Sequence, residues 1–220
     1  MRKMLLEALV VASVLSPAVA FAQTGKAKPT TATYITREEI DLVSRSEQNK
    51  TVVDENTKVV DLGPENFTVG VIHRASTRNA GSLAPQAPAG GSQASAAAAE
   101  SCGRQMATLP PGGTAGGIIH DFQTEGYYIV SGGGTMFTDG YIVNGRHNNQ
   151  NNAPGGPNGP SCGGMAYDVR KVVVKPGDVV IIPAGVVHGW ADIPDHVDYL
   201  SFRPSQNVLK AGWVNPTIQK

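Results

Sequence analysis

Two histidines and a glutamate, His120, Glu125 and His188, are side chains of the types that hold a divalent transition metal. Neutral imidazoles and a carboxylate accept iron, manganese, copper, nickel or zinc. Three protein ligands leave positions open for water, oxygen or substrate. The spacing around them is that of positioned residues. In GDVVIIPAGVVHGWAD, residues 177–192, Gly177 and Asp178 turn the chain after Pro176, and Val179 to Ile182 read as a strand. Pro183-Ala184-Gly185 forces a second turn, and His188 follows that rigid corner. His120 and Glu125 lie in another turn-rich stretch, GGIIHDFQTEGYYIVSGGG, residues 116–134.

These two stretches carry a family resemblance. Gly177-x5-Pro183-x-Gly185-x2-His188 resembles the second motif of the cupin superfamily, with Asp192 where that motif usually has Asn. Gly112-x5-Ile118-x-His120-x4-Glu125-x6-Gly132 is similar to the first cupin motif, but Ile118 stands where most metal-binding members carry their first histidine. The resemblance covers residues 106–206. It implies an all-β, jelly-roll barrel of the cupin type. Outside it, an irregular N-terminal extension with a short helix, strands and an Ala/Gly/Ser-rich loop is expected over 23–105, and a tail over 207–220. The resemblance also implies a metal held by His120, Glu125 and His188, oxidoreductase chemistry of the dioxygenase kind on a small organic molecule, and sheets that pair into a homodimer. Cupins equally include non-catalytic binders of small polar molecules or sugars, so both functions stay open.

The elements that position these residues read as short strands. Glu125, Tyr127 and Ile129 share one strand face, and Gly126, Tyr128 and Val130 share the other. If Glu125 points into a barrel, Tyr127 lines the same pocket and is a candidate catalytic residue, with Trp190 as a pocket wall. Phe67, Val69, Val71 and His73 alternate on one face of an upstream strand, which places His73 toward the core. His73 is then either a hydrogen-bonded core histidine or an extra ligand or acid–base group. Strands are also expected over Val59–Leu62, Thr135–Val143, Tyr167–Val174 and His196–Phe202. Asn144–Gly164, rich in Asn, Gly and Pro, reads as a long loop over the barrel mouth, with His147 solvated. Thr36-Arg37-Glu38-Glu39 offers a capping box for a short helix.

Composition sets the remaining bounds. The 220 residues suit one domain with trimmings or two small ones; 26 glycines, 15 prolines and 16% charged residues fit a chain of many turns. The formal net charge is zero and the basic residues do not cluster, which argues against a nucleic-acid partner. Residues 1–22 read as a secretory signal: Arg2-Lys3, an apolar run over Ala8–Leu15, and Ala20-Phe21-Ala22 as cleavage site. Its removal leaves no membrane-spanning stretch, so a periplasmic or secreted protein is expected. In an oxidising compartment Cys102 and Cys162 are expected to form a disulfide, two free thiols being the alternative. Ser76–Glu100, rich in Ala, Gly and Ser, reads as an exposed loop.

Overall fold

A computed structural model describes residues 29–46, 52–78, 100–148, 158–206 and 208–219. The stretch read as a secretory signal, most of the Ser76–Glu100 stretch and the tip of the loop at 149–157 lie outside the described residues. Among the described residues one helix, α1 (Arg37–Ser46), precedes twelve strands: β1 (Val52–Asp61), β2 (Asn66–Ala75), β3 (Ser101–Cys102), β4 (Thr114–His120), β5 (Glu125–Gly132) and β6 (Gly134–Thr138), then β7 (Tyr141–Asn148), β8 (Ser161–Tyr167), β9 (Arg170–Val174), β10 (Val179–Ile182), β11 (His188–Asp192) and β12 (His196–Ser205). The capping box forms: the Thr36 amide donates to Glu39 Oε2 at 3.1 Å, and the Glu39 amide donates to Thr36 Oγ1 at 3.3 Å.

The strands make two antiparallel sheets, β1-β2-β12-β5-β10 and β3-β7-β8-β4-β11-β6-β9. From β4 to β6 and again from β9 to β12 the chain crosses from one sheet to the other at each turn, the wrapping of a jelly roll. Ile72, Tyr127, Ile129, Met136, Ile182, Val197 and Tyr199 pack between the sheets as the main core. A second core of Cys102, Phe137, Ile142, Cys162, Ala166 and Val187 lies behind the seven-stranded sheet. The Cys102–Cys162 disulfide is formed, with Cα atoms 6.0 Å apart, and ties β3 to β8.

Three expectations need correction. The strands expected in the N-terminal extension are longer, spanning residues 52–61 and 66–75 as β1 and β2, and they join the five-stranded sheet of the barrel. Their apolar alternation cannot tell a strand inside the barrel sheet from one beside it. The long loop is shorter than expected, because β7 runs on to Asn148 and β8 begins at Ser161, pairing Arg146 with Gly163. His147 thus sits on a strand, 3.7 Å from Asp121. The third concerns His73. Phe67, Val69, Val71 and His73 do share a face, but it is the outer one: a Cβ at Gly70 would meet the Arg203 guanidinium at 2.8 Å, so the even-numbered residues of β2 face the interior. Val53, Val69 and Val71 are nevertheless buried, because α1 packs over β1 and β2 on the outside. The alternation reported a buried face correctly and its location wrongly.

The tail runs along β1. The Val59 amide donates to the Trp213 carbonyl and the Gly212 amide to the Val59 carbonyl, both at 2.8 Å, so the tail covers an edge that would otherwise be open.

Candidate metal centre

His120 ends β4, Glu125 opens β5, and the four residues between them reverse the chain from one sheet to the other. His188 opens β11 after the corner at Pro183-Ala184-Gly185, where Gly185 has φ 83° and its amide donates to the His120 carbonyl at 2.9 Å. That bond links the two motifs through the backbone. The two imidazoles and the carboxylate are 1–3% exposed, and one ligand atom from each lies within 4.8 Å of the others.

The hydrogen bonds settle which ring nitrogens face inward. The Val186 carbonyl can only accept, so His188 carries its proton on Nδ1, 3.1 Å away. Ser161 donates its hydroxyl proton to the Gly159 carbonyl at 3.1 Å and must accept from His120 Nδ1 at 2.8 Å. Both Nε2 atoms then present lone pairs to the same carboxylate oxygen, Glu125 Oε2, at 3.3 Å from His120 and 3.2 Å from His188. Three lone pairs converging in a site closed to water repel one another unless a cation lies among them. The ring centroids of His120 and His188 are 5.0 Å apart. Two imidazoles joined through a tetrahedral ion by bonds of about 2.1 Å have centroids roughly 5 Å apart, so the residues fit a metal as they stand.

Glu125 is held from behind by residues that no motif marks. Oε1 accepts from Arg203 Nε at 2.9 Å and from Ser201 at 3.1 Å, while Oε2 accepts from the Tyr127 hydroxyl at 2.7 Å. Arg203, 1% exposed, also donates to Asn56 Oδ1 at 2.9 Å and Asp54 Oδ1 at 2.6 Å. Burial alone would push the Glu125 carboxyl up; the charges of His120 and Arg203 outweigh it and hold the carboxyl well below its usual range. Burial pushes the His120 imidazole down against the opposing pull of Glu125. Burial and Glu125 together push the Tyr127 phenol well up, which keeps it a donor.

Ile118 pairs with His188 across β4 and β11 and stands two residues from His120, so it shares their face. Trp190 also shares that face, and its ring lies 5.8 Å from that of Tyr199 in the barrel interior. Asp192 makes a two-pronged ion pair with Arg78, at 2.9 and 2.5 Å. His73 is not part of the centre: its Nδ1 meets Asp198 Oδ1 at 2.6 Å on the far side of the sheet. A spacing signal for Arg203 did exist, since Tyr199, Ser201 and Arg203 alternate on one strand. Its apolar neighbours Leu200 and Phe202 lie on the opposite face of the strand.

The first motif thus lies on β4 and β5, the second on β10 and β11, and both deliver their side chains between the two sheets. The fold is an all-β jelly-roll barrel, as the resemblance of the two motifs implied. No family model and no curated protein sequence matches the chain. Among solved structures this barrel is similar to a Klebsiella pneumoniae protein described as having a double-stranded beta-helix domain, at 13% identity over 84% of this chain and 100% of that one, with a TM-score of 0.37. It is similar to an oxalate oxidase in complex with glycolate, at 12% identity over 73% of this chain, with a TM-score of 0.32; the match spans 55% of that oxidase. A third is Peruvianin-I, a cysteine peptidase from Thevetia peruviana latex, at 11% identity, 87% and 93% coverage and a TM-score of 0.32.

Proposed function

We propose that this chain is an exported cupin metalloprotein that holds one divalent transition-metal ion between His120, Glu125 and His188 and acts as a metal-dependent oxidoreductase on a small organic molecule. The observation that carries the reading is the convergence of two imidazole lone pairs on one carboxylate oxygen in a buried site. The ion would supply Lewis acidity and, for iron, manganese or copper, electron transfer to or from oxygen. The chain's own residues do the rest. Arg203 and Ser201 keep Glu125 charged and fixed, Ser161 and the Val186 carbonyl orient the rings, and Tyr127 holds a proton 2.7 Å from the carboxylate. Met136, Val180, Ile182 and Val186 line a groove of about 510 Å³ between the edge strands β9 and β10. They belong to, or pack against, the same core as Tyr127 and Trp190, and this supports an apolar way in for the substrate.

Export is supported by the Cys102–Cys162 disulfide, and among the described residues no helix is long and apolar enough to cross a membrane. A homodimer is supported by Tyr128, Val130, Val179, Ile181 and Phe202, an uncharged exposed set on the outside of the five-stranded sheet that could meet its own copy. Ile181→Lys should shift the sedimenting species from dimer to monomer.

The test of the main reading is metal content and oxygen uptake. His120→Ala, Glu125→Ala and His188→Ala should each lose the tightly held metal, and His147→Ala should keep it. Wild-type protein loaded with iron, manganese or copper should consume oxygen with a member of a panel of phenols, diketones and sugars. Equal metal in all four variants sinks the assignment. A second reading, a cupin that binds a small polar ligand without turnover, is favoured by Ile118, an apolar residue on the ligand face. Ligands that raise the melting temperature with no oxygen uptake under any metal would decide for it. Ile118→His should tighten metal binding in either case.

A further inference from the structure

On the outer face of the five-stranded sheet stands a second pair of histidines with a carboxylate. His73 on β2 and Asp198 on β12 are register partners, and Ser131 on β5 is the partner of Asp198 on its other side. His196 lies two residues before Asp198 on the same strand face. His73 Nδ1 is 2.6 Å from Asp198 Oδ1, and His196 Nε2 is 3.7 Å from Asp198 Oδ2. The two imidazoles are nearly parallel, with centroids 6.3 Å apart. We propose that His73, Asp198 and His196 form a surface site for a late divalent transition-metal ion, zinc or copper, separate from the barrel centre.

Three features point to a cation. First, two imidazoles and a carboxylate are the donor set such ions take. Second, Asp195 Oδ2 lies 2.7 Å from His196 Nδ1. In the neutral ring that contact keeps the proton on Nδ1 and leaves Nε2 as a lone pair aimed toward Ser131 Oγ at 3.2 Å and Asp198. The Ser131 proton is already donated to Asp198 Oδ2 at 2.5 Å, so it cannot satisfy Nε2. A carboxylate behind a ligating imidazole is the usual device for orienting the ring. Third, among the described residues neither Asp195 nor Asp198 pairs with a lysine or arginine, so the cluster holds two carboxylates with only imidazoles to offset them.

The fit requires some movement. Rings joined through a tetrahedral ion stand roughly 5 Å apart, so the 6.3 Å separation must close by about 1 Å, and His73 Nδ1, which donates to Asp198 at 2.6 Å, must give up its proton to ligate. His73, His196 and Asp198 have side chains 36–38% exposed, and rotation about their χ angles supplies that shift without moving the strands.

The experiment titrates Zn²⁺ into the untagged, metal-stripped chain and counts equivalents by calorimetry and elemental analysis. Wild type should take about two per chain, one per three-ligand set. His73→Ala/His196→Ala should take one and keep the melting temperature of the metal-free wild type. His120→Ala should lose the barrel equivalent and retain the surface one. With Cu²⁺, the surface ion should show nitrogen coupling in its paramagnetic resonance spectrum in His120→Ala, and none in the triple variant. An unchanged count in His73→Ala/His196→Ala overturns the surface site. If the sole equivalent instead disappears with those two histidines and survives His120→Ala, it is the barrel reading that fails.

Discussion

Two histidines and a carboxylate come together twice among the described residues, once between the two sheets and once on the outer face of the five-stranded sheet, and their surroundings differ in almost every respect. In the barrel, His120, Glu125 and His188 are nearly inaccessible; outside, His73, Asp198 and His196 are more than a third exposed. The inner carboxylate is clamped by Arg203, Ser201 and Tyr127, whereas the outer one has a serine and two imidazoles. Burial makes the inner set rigid and intolerant of a missing partner, because an uncompensated charge there has no solvent to turn to. Exposure leaves the outer set adjustable and its charges screened. One set of residue types can therefore be a pre-built centre or a loose one, depending on what stands behind the carboxylate.

The sharpest way to break this contrast is to remove a partner from each carboxylate. Arg203→Met leaves Glu125 buried without its guanidinium, beside two neutral rings, and should destabilise the metal-free protein by about 3–5 kcal/mol in urea unfolding. Asp198→Asn should cost less than about 1 kcal/mol, since its pairs are partly solvated and salt-screened. Equal costs would mean that depth does not distinguish the two sets.

The disulfide tests the comparison from another side. Cys162 follows Ser161, the residue that orients His120, and its bridge to Cys102 closes a separation of 60 residues. Cys102→Ser/Cys162→Ser should lose about 4 kcal/mol in the chain-entropy picture. It should also weaken Zn²⁺ binding in the barrel while leaving the surface set unaffected, because β2 and β12 belong to the other sheet. Loss at both sites in proportion would show that the double variant loosens the whole fold.

How much of this was legible in the sequence follows the same division. His120, Glu125 and His188 were readable because turn residues at fixed offsets position them, and those offsets are local in the chain. The disulfide was readable from the expectation of export and the cysteine count. Arg203 was not, because its role comes from Glu125, 78 residues away, and from Asp54 and Asn56 farther still. The strands around the centre are also inverted relative to the usual rule. Ser201 and Arg203 face inward while Tyr128, Val179, Ile181 and Phe202 are exposed, so hydrophobicity points away from the chemistry. His73 failed for a related reason: alternation detects a covered face, and here the cover is α1 rather than the opposite sheet.

The smallest effects come from the groups that orient the rings, and they probe the contrast most finely. Ser161→Ala removes the acceptor that keeps the His120 proton on Nδ1, in a position where water cannot take its place. A loss toward the upper end of the 10–100-fold range typical of such partners is expected for Zn²⁺ in the barrel. Asp195→Asn is the matching change outside. Asp195 is 89% exposed, so water and the remaining amide oxygen can replace much of what the carboxylate does. The surface site should weaken by about tenfold or less, and that loss should shrink further as salt is raised. If Asp195→Asn cost as much as Ser161→Ala at every ionic strength, the outer set would be as firmly built as the inner one, and exposure would have to be abandoned as what separates them.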